Sequence, residues 1–299
     1  MTQYQVACFG EVLWDILPDK ALPGGAPMNV AYHLQKLSVP VAMISSVGND
    51  EQGQSLLEIM KKYQLTTDFI QKDPAHETGK VYAQASPDNP LEMKYDIVRP
   101  VAWDYIDFTP ALKELAQQPN DTYLVFGSLA ARNTTSRQTL QSLLEGNRTF
   151  ILDINLRPPH FEKELLVWLL HQCHVLKLNE SELAMIGGWH QWPDTIEGQV
   201  KALSSQYSIQ TIIVTLGENG AALFSDGKFY RHPGYKVKVA DTIGSGDAFL
   251  AGFIYSTIKG YTPADTLSFA CAIGALVASY SGGCPDYKRE EITTLMAAH

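Results

Sequence analysis

Short apolar runs and amphipathic helical stretches take turns along this chain, and that alternation limits its fold more than any other property of the sequence. Residues 6–9, 41–46, 122–126, 149–154, 175–178 and 211–215 read as strands, followed by helical patterning such as 51–63 and 136–144. Strands separated by helices pack as a mostly parallel sheet with helices on both faces, because each crossover must bury its apolar stripe. The expected fold class is therefore α/β, and ligands in such folds bind beyond the carboxyl ends of the strands. Polar clusters fall at those ends: Asp153-Ile-Asn-Leu-Arg157, Asn179-Glu-Ser-Glu182 and Thr215-Leu-Gly-Glu-Asn-Gly220.

Residues 78–101 break the rhythm. Two segments, 79–85 and 91–98, alternate with period two around Ser86-Pro-Asp-Asn-Pro90, which reads as a hairpin projecting from the core as a lid. The 299 residues suffice for one large domain or two smaller ones, and they contain no repeat and no linker between domains. A formal net charge of −9 argues against nucleic-acid and anionic-membrane partners. The cysteines at 8, 173, 271 and 284 include no Cys-x-x-Cys pair, which fits reduced thiols in a cytoplasmic protein. No apolar run approaches the roughly 18 residues of a membrane span.

The segment most suggestive of chemistry is Asp241-Thr-Ile-Gly-Ser-Gly-Asp-Ala-Phe249, with an alternating, strand-like run at 235–240 before it and an apolar helical run at 249–255 after it. A helix start presents unpaired backbone N–H groups at the positive end of the dipole, so Gly244, Ser245 and Gly246 can offer amides to an anion. Asp247 would sit in the first turn beside that anion. An anion cradle next to a base suits phosphoryl transfer to an alcohol. Earlier in the chain, Gly24 and Gly25 permit close approach of a ligand, Pro27 suits a first helical turn, and Asn29 offers a donor and an acceptor to a polyol. Asp15, a carboxylate in an apolar stretch, is costly to bury without partners such as sugar hydroxyls.

Together, Gly24-Gly-Ala-Pro-Met-Asn29 and Asp241-Thr-x-Gly-x-Gly-Asp247 resemble the two signatures of the ribokinase-like (PfkB-type) carbohydrate kinases. Asn179-x-x-Glu182 and Thr215-Leu-Gly217 are similar to the family's intermediate motifs, so the resemblance spans nearly the whole chain. It implies a ribokinase-like three-layer sandwich in a single domain over residues 1–299, with a β lid built from about 11–20 and 78–101. By the same resemblance, Asp247 is the base, the amides at 244–246 neutralise the γ-phosphoryl of ATP, and Arg157 assists. Asp15, Gly24, Gly25, Asn29 and Asn155 would contact the sugar. Asn179 and Glu182 would act on the phosphates through water and Mg²⁺, and Thr215, Gly217, Gly220 and Cys271 would shape the nucleotide pocket. Asp241 and the Ile243 carbonyl match part of a monovalent-cation (K⁺) site whose other ligands would come from 277–286. A homodimer through the lid is a further implication.

The pattern Gly-Gly-Ala-Pro-x-Asn with a later Asp-x-Asn-x-Arg is most similar to bacterial fructokinases, so fructose is the expected acceptor. The alternatives are 2-keto-3-deoxygluconate and ribose. Kinases acting on the keto acid carry Tyr-x-Arg in the lid, where this chain has Tyr95-Asp-Ile97, although Arg99 lies nearby. A catalytically inactive sugar- or nucleotide-binding relative is disfavoured by the presence of Asp247. A dinucleotide-binding dehydrogenase would carry its glycines after the first strand, where Gly10-Glu-Val-Leu13 stands instead. His171 and His174 flank a cysteine at a helix end and read as structural.

Overall fold

The computed structural model describes residues 3–85, 93–117 and 122–298. The strands are β1 (Val6–Phe9), β2 (Leu13–Ile16), β3 (Ala21–Gly24), β4 (Val41–Gly48), β5 (Ile70–Asp73), β6 (Gly79–Ala85), β7 (Met93–Ile97), β8 (Tyr123–Gly127), β9 (Thr149–Asp153), β10 (Val175–Asn179), β11 (Thr211–Thr215), β12 (Ala221–Ser225) and β13 (Lys228–His232). Nine of them form one sheet in the order β13-β12-β11-β10-β9-β8-β1-β4-β5. It is parallel from β5 to β11, and only β12 runs against the rest, pairing antiparallel with β11 and with β13.

Successive residues of the strands point to opposite faces, and each face meets its own helical layer. Val6 and Cys8 of β1 join one core cluster, which includes much of α1 (Ala26–Lys36), part of α2 (Glu51–Lys62) and, further along, α8 and α9. Ala7 and Phe9 join the other, with α3 (Pro110–Ala116), α4 (Thr134–Leu144), α5 (Lys163–Leu170), α6 (Glu180–His190) and α7 (Ile196–Tyr207). The remaining helices are α8 (Ser245–Ile258), α9 (Pro263–Ala278) and α10 (Arg289–Ala297). The result is the expected three-layer α/β sandwich. Helices α8 and α9 are apolar on nearly every side, as befits helices packed between the sheet and further helices.

A second sheet of four strands, ordered β3-β2-β6-β7, stands apart from the first. It is the expected lid, but its first part runs over residues 13–24 rather than 11–20, so Gly24 ends a lid strand. Strands β6 and β7 pair antiparallel with Val81 opposite Ile97. The turn expected at 86–90 lies outside the described residues. At the root of the lid, Arg132 grips Asp104 with Nε at 2.7 Å and Nη2 at 2.8 Å. The same guanidinium donates to the Val98 carbonyl at 2.8 Å and lies over the Trp103 ring. One planar fork thus ties the end of the lid to the sandwich.

Two sequence expectations change here. Residues 235–240 form no strand. Gly234, with φ of 83°, turns the chain away from the sheet after Pro233. The alternation instead marks an extended segment whose Tyr235, Lys236, Val237 and Val239 line a cavity. The antiparallel pair β12 and β13 was not anticipated, although Asp226-Gly227 between apolar runs is a strong hairpin signal. Both turn residues have positive φ, 51° and 74°. Among the described residues no helix is long and apolar enough to cross a membrane. His171 meets the Tyr207 ring edge-on, and His174 accepts a bond from the Phe150 amide at 3.0 Å, both structural roles.

Candidate active site

The carboxyl ends of the parallel strands and the start of α8 converge beneath the lid. There the chain encloses two chambers, of about 390 Å³ and 750 Å³, which share Thr215, Thr242 and Gly246. The smaller chamber is bounded by Glu11, Asp15, Asn29, Asp153, Arg157 and Asp247, among others. Gly217, Gly220 and Cys271 line the larger one. Of the sequence-predicted sugar residues, Asp15, Gly25, Asn29 and Asn155 line the smaller chamber; of the predicted nucleotide-side residues, Asn179 and Glu182 line the smaller one as well and Thr215 lines both.

Gly244 caps α8 with φ of 74°, and a Cβ there would stand 2.4 Å from the Gly283 Cα. Only glycine satisfies both constraints, so the helix must begin at this point. The Ser245 hydroxyl donates to the Gly274 carbonyl at 3.0 Å and fixes α8 against α9. One expectation needs correction: the Ser245 amide is engaged by the Thr242 carbonyl at 3.3 Å. The amides of Gly244 and Gly246 have no protein acceptor among the described residues. The cradle is therefore narrower than the sequence suggests. Gly246 has no positive φ, and a Cβ there would lie 3.3 Å from Lys177 Nζ.

Asp247 follows in the first helical turn and is only 9% exposed. Asn29 Nδ2 donates to Asp247 Oδ2 at 2.8 Å, and Asn29 Oδ1 accepts from the Cys284 thiol at 3.3 Å. Asn29 has thus spent one donor and one acceptor inside the protein, and its visible work is to orient Asp247. Gly25, with φ of 114°, starts α1 where a Cβ would strike the Glu11 carbonyl at 2.2 Å. Gly24 does not line either chamber. A Cβ there would fall 2.1 Å from Asp15 Oδ2, so its bareness makes room for that carboxylate.

Two residues went unrecognised in the sequence. Lys177 lies in β10 at 7% exposure, with Nζ 2.7 Å from Asp153 Oδ2. Burial works against its charge, but the Asp153 and Asp247 carboxylates outweigh this and raise its pKa. Its signal was present as a lone lysine inside the apolar run Val175-Leu-Lys-Leu. The second is Glu11. Its Oε1 accepts from the Ala26 amide at 3.3 Å, while Oε2 is buried with no hydrogen-bond partner among the described residues.

Burial pushes three of these carboxyls up: Glu11 to about 7, Asp15 to about 6 and Asp247 to about 6. Arg157 lowers all three, and Lys177 is the largest opposing influence on Asp247. A folded-state pKa above the unfolded value means stability that is complete below the unfolded pKa and lost as pH rises through the folded one. Glu11 rises from 4.5 to about 7, which at about 1.4 kcal/mol per unit amounts to about 3 kcal/mol. Glu11→Gln should therefore gain stability over wild type between pH 4.5 and pH 8. Urea unfolding of both proteins at the two pH values checks this; a constant difference would refute the buried, protonated carboxyl.

Glu182 and Asn179 form a capping box at the start of α6. Glu182 Oε1 accepts from the Leu156 amide at 2.8 Å and Oε2 from the Asn179 amide at 2.8 Å, while Asn179 Oδ1 accepts from the Glu182 amide at 2.9 Å. Each Glu182 oxygen keeps a lone pair for water. Among the described residues no three metal-ligating side chains cluster. Asp241 Oδ1 accepts from the Ile243 amide at 3.0 Å and Oδ2 from the Gly282 amide at 3.1 Å. The loop at 241–243 thus meets the 277–286 segment through the Gly282 amide. Asn155 lines the smaller chamber with φ of 41°, and Arg157 lies at its rim, whereas Arg99 lines neither chamber.

The sequence matches the family model described as pfkB family carbohydrate kinase over residues 9–289. It is 28% identical to a fructokinase of Salmonella typhimurium, covering 93% of this chain and 94% of that protein. It is 27% identical to an ATP-dependent 6-phosphofructokinase of Thermoanaerobacterium thermosaccharolyticum, covering 95% and 91%. Among solved structures, fructokinase with bound ATP from Xylella fastidiosa superimposes with a TM-score of 0.85 over 98% of both chains at 21% identity. That likeness establishes the ribokinase-like fold.

Proposed function

The chain belongs to the pfkB family of carbohydrate kinases, and from that premise we propose that it transfers the γ-phosphoryl group of ATP to a hydroxyl of free fructose. The observation that carries this reading is the meeting of a polar chamber and a nucleotide-sized chamber at Gly246, with a buried carboxylate on the next residue. The sugar would occupy the smaller chamber, held by Asp15 and Asn155, and adenosine the larger one beside Cys271. Its terminal phosphate would then lie against the Gly244 and Gly246 amides and Lys177.

In a loose phosphoryl-transfer transition state the work lies in positioning and charge neutralisation. Asp247 orients the acceptor hydroxyl and takes its proton as the bond to phosphorus forms. The Gly244 and Gly246 amides, the positive end of α8 and Lys177 balance the charge on the equatorial oxygens. Asn29 holds Asp247 in place. Asn179 and Glu182 would hold Mg²⁺ through water, and the ion would supply charge neutralisation to the phosphates. Asp241 and the Ile243 carbonyl would hold K⁺, which would supply further positive charge near the cradle.

Fructose is favoured over an acid or a phosphorylated sugar by the charge of the smaller chamber. Asp15, Asp153 and Asp247 line it against Arg157 and a Lys177 already committed to Asp153. A negative group on the substrate would meet like charge. A coupled assay of ADP formation should therefore give fructose a kcat/KM roughly tenfold or more above ribose, 2-keto-3-deoxygluconate and fructose 6-phosphate, with K⁺ and without. Equal or greater turnover of either acidic substrate would overturn the assignment. The unpaired thiols of Cys8, Cys173, Cys271 and Cys284 support work in the reducing cytoplasm. Two copies meeting through the lid edges β3 and β7 would shield both from irregular pairing.

A further inference from the structure

The opposite end of the sheet holds a second cavity, of about 460 Å³, with no part in the reaction above. Its floor is made by the first residues of strands whose last residues serve the active site. Thr149 opens β9, which ends at Asp153; Thr211 opens β11, which ends at Thr215. At about 3.3 Å per residue the two places are separated by roughly 13 Å of strand. Helix α8 spans the same gap, with Asp247 in its first turn and Thr257 at the far cavity.

Arg148 lines this cavity. It is 6% exposed, its Nε and Nη2 are shielded from solvent without a hydrogen-bond partner, and no carboxylate pairs with it among the described residues. Burial lowers its pKa, yet a guanidinium keeps its charge. An unpaired buried cation is among the costliest arrangements a fold can carry, and native interiors compensate such charges with an anion. Among the described residues no aspartate or glutamate lines the cavity to do so. The C-terminal end of α8 and the start of α9 both reach it, so their dipoles oppose one another and leave Arg148 as the net charge.

Neutral donors share the cavity with Arg148. His174 also lines the cavity; its Nδ1 accepts from the Phe150 amide at 3.0 Å, which leaves the proton of the neutral ring on Nε2. Hydroxyl groups of Tyr261 and Thr266 share the wall. With Nε and Nη2 shielded, the guanidinium can present Nη1 to an anion beside the imidazole N–H and the hydroxyls, a donor set complementary to a tetrahedral oxyanion.

We propose that this cavity is a second anion site, in which Arg148 and His174 bind a phosphate group. The phosphate arrives either as the free ion or as the ester of a small sugar, since both present the same oxygens.

Isothermal titration of the ADP-saturated protein tests this, with inorganic phosphate in one arm and a hexose monophosphate in the other. ADP occupies the catalytic phosphate region, and subtraction against Arg148→Met removes any binding there. Wild type should show an additional binding event that Arg148→Met lacks. Heat in the phosphate arm identifies the free ion as sufficient; heat only in the ester arm identifies the sugar phosphate. Should Arg148→Met fail to fold, Gln210→Trp carries the test, because residue 210 is exposed at the cavity rim and its substitution blocks entry with Arg148 intact. Binding lost in Gln210→Trp supports the site. Identical titrations for wild type and either folded variant, in both arms, overturn it.

Discussion

Asp247→Ala is expected to lower kcat by about 10²- to 10⁴-fold, the range for removal of a positioned base. The affinity for ADP should stay close to that of wild type. The substitution takes away a carboxylate that burial has raised to about 6, so the protein should remain folded at pH 8. The base must be ionised to work. The wild-type kcat/KM should therefore fall with decreasing pH below about 6, and the residual activity of Asp247→Ala should lack that limb. Steady-state kinetics from pH 5 to pH 8 measure both. Near-normal turnover in the variant would remove Asp247 from the mechanism, and an unchanged acid limb would assign the titration to another group.

Lys177→Met is the second large effect. On the proposed mechanism, loss of the charged donor beside Gly246 should lower kcat by about 10²- to 10³-fold. It also strands the Asp153 carboxylate, whose partner at 2.7 Å is gone; breaking a buried pair from one side costs about 3 to 5 kcal/mol. The two effects separate in Asp153→Asn/Lys177→Met, where no charge is left alone. The double variant should recover most of the thermal stability while staying as slow as Lys177→Met. Restored turnover along with restored stability would mean that Lys177 matters only as a structural partner.

Much of the catalytic end was readable because its chemistry is local. A helix mouth with two glycines and a carboxylate, or a capping box such as Asn179 and Glu182, needs only neighbours along the chain. The alternation of strands and helices likewise revealed the sandwich, since each element displays its own buried face. What escaped depends on contacts between distant residues. The partnership of Lys177 with Asp153 joins adjacent strands 24 positions apart, and the pairing of Asn29 with Asp247 joins two helices 218 positions apart. Nothing in the turn at 242–246 foretold that the Ser245 amide would be consumed by the Thr242 carbonyl. Residues 235–240 misled for a related reason: period two marks a chain with one wet and one dry side, and a cavity wall provides that as well as a sheet does.

The bond between Asn29 and Asp247 has one more implication. Asn29 belongs to the helix that leaves β3, an edge strand of the small sheet, through a single glycine, so that sheet and the amide steadying Asp247 form one continuous run of chain. A shift of β3 would be carried through Gly25 and the start of that helix to the carboxylate, coupling the small sheet to the orientation of Asp247.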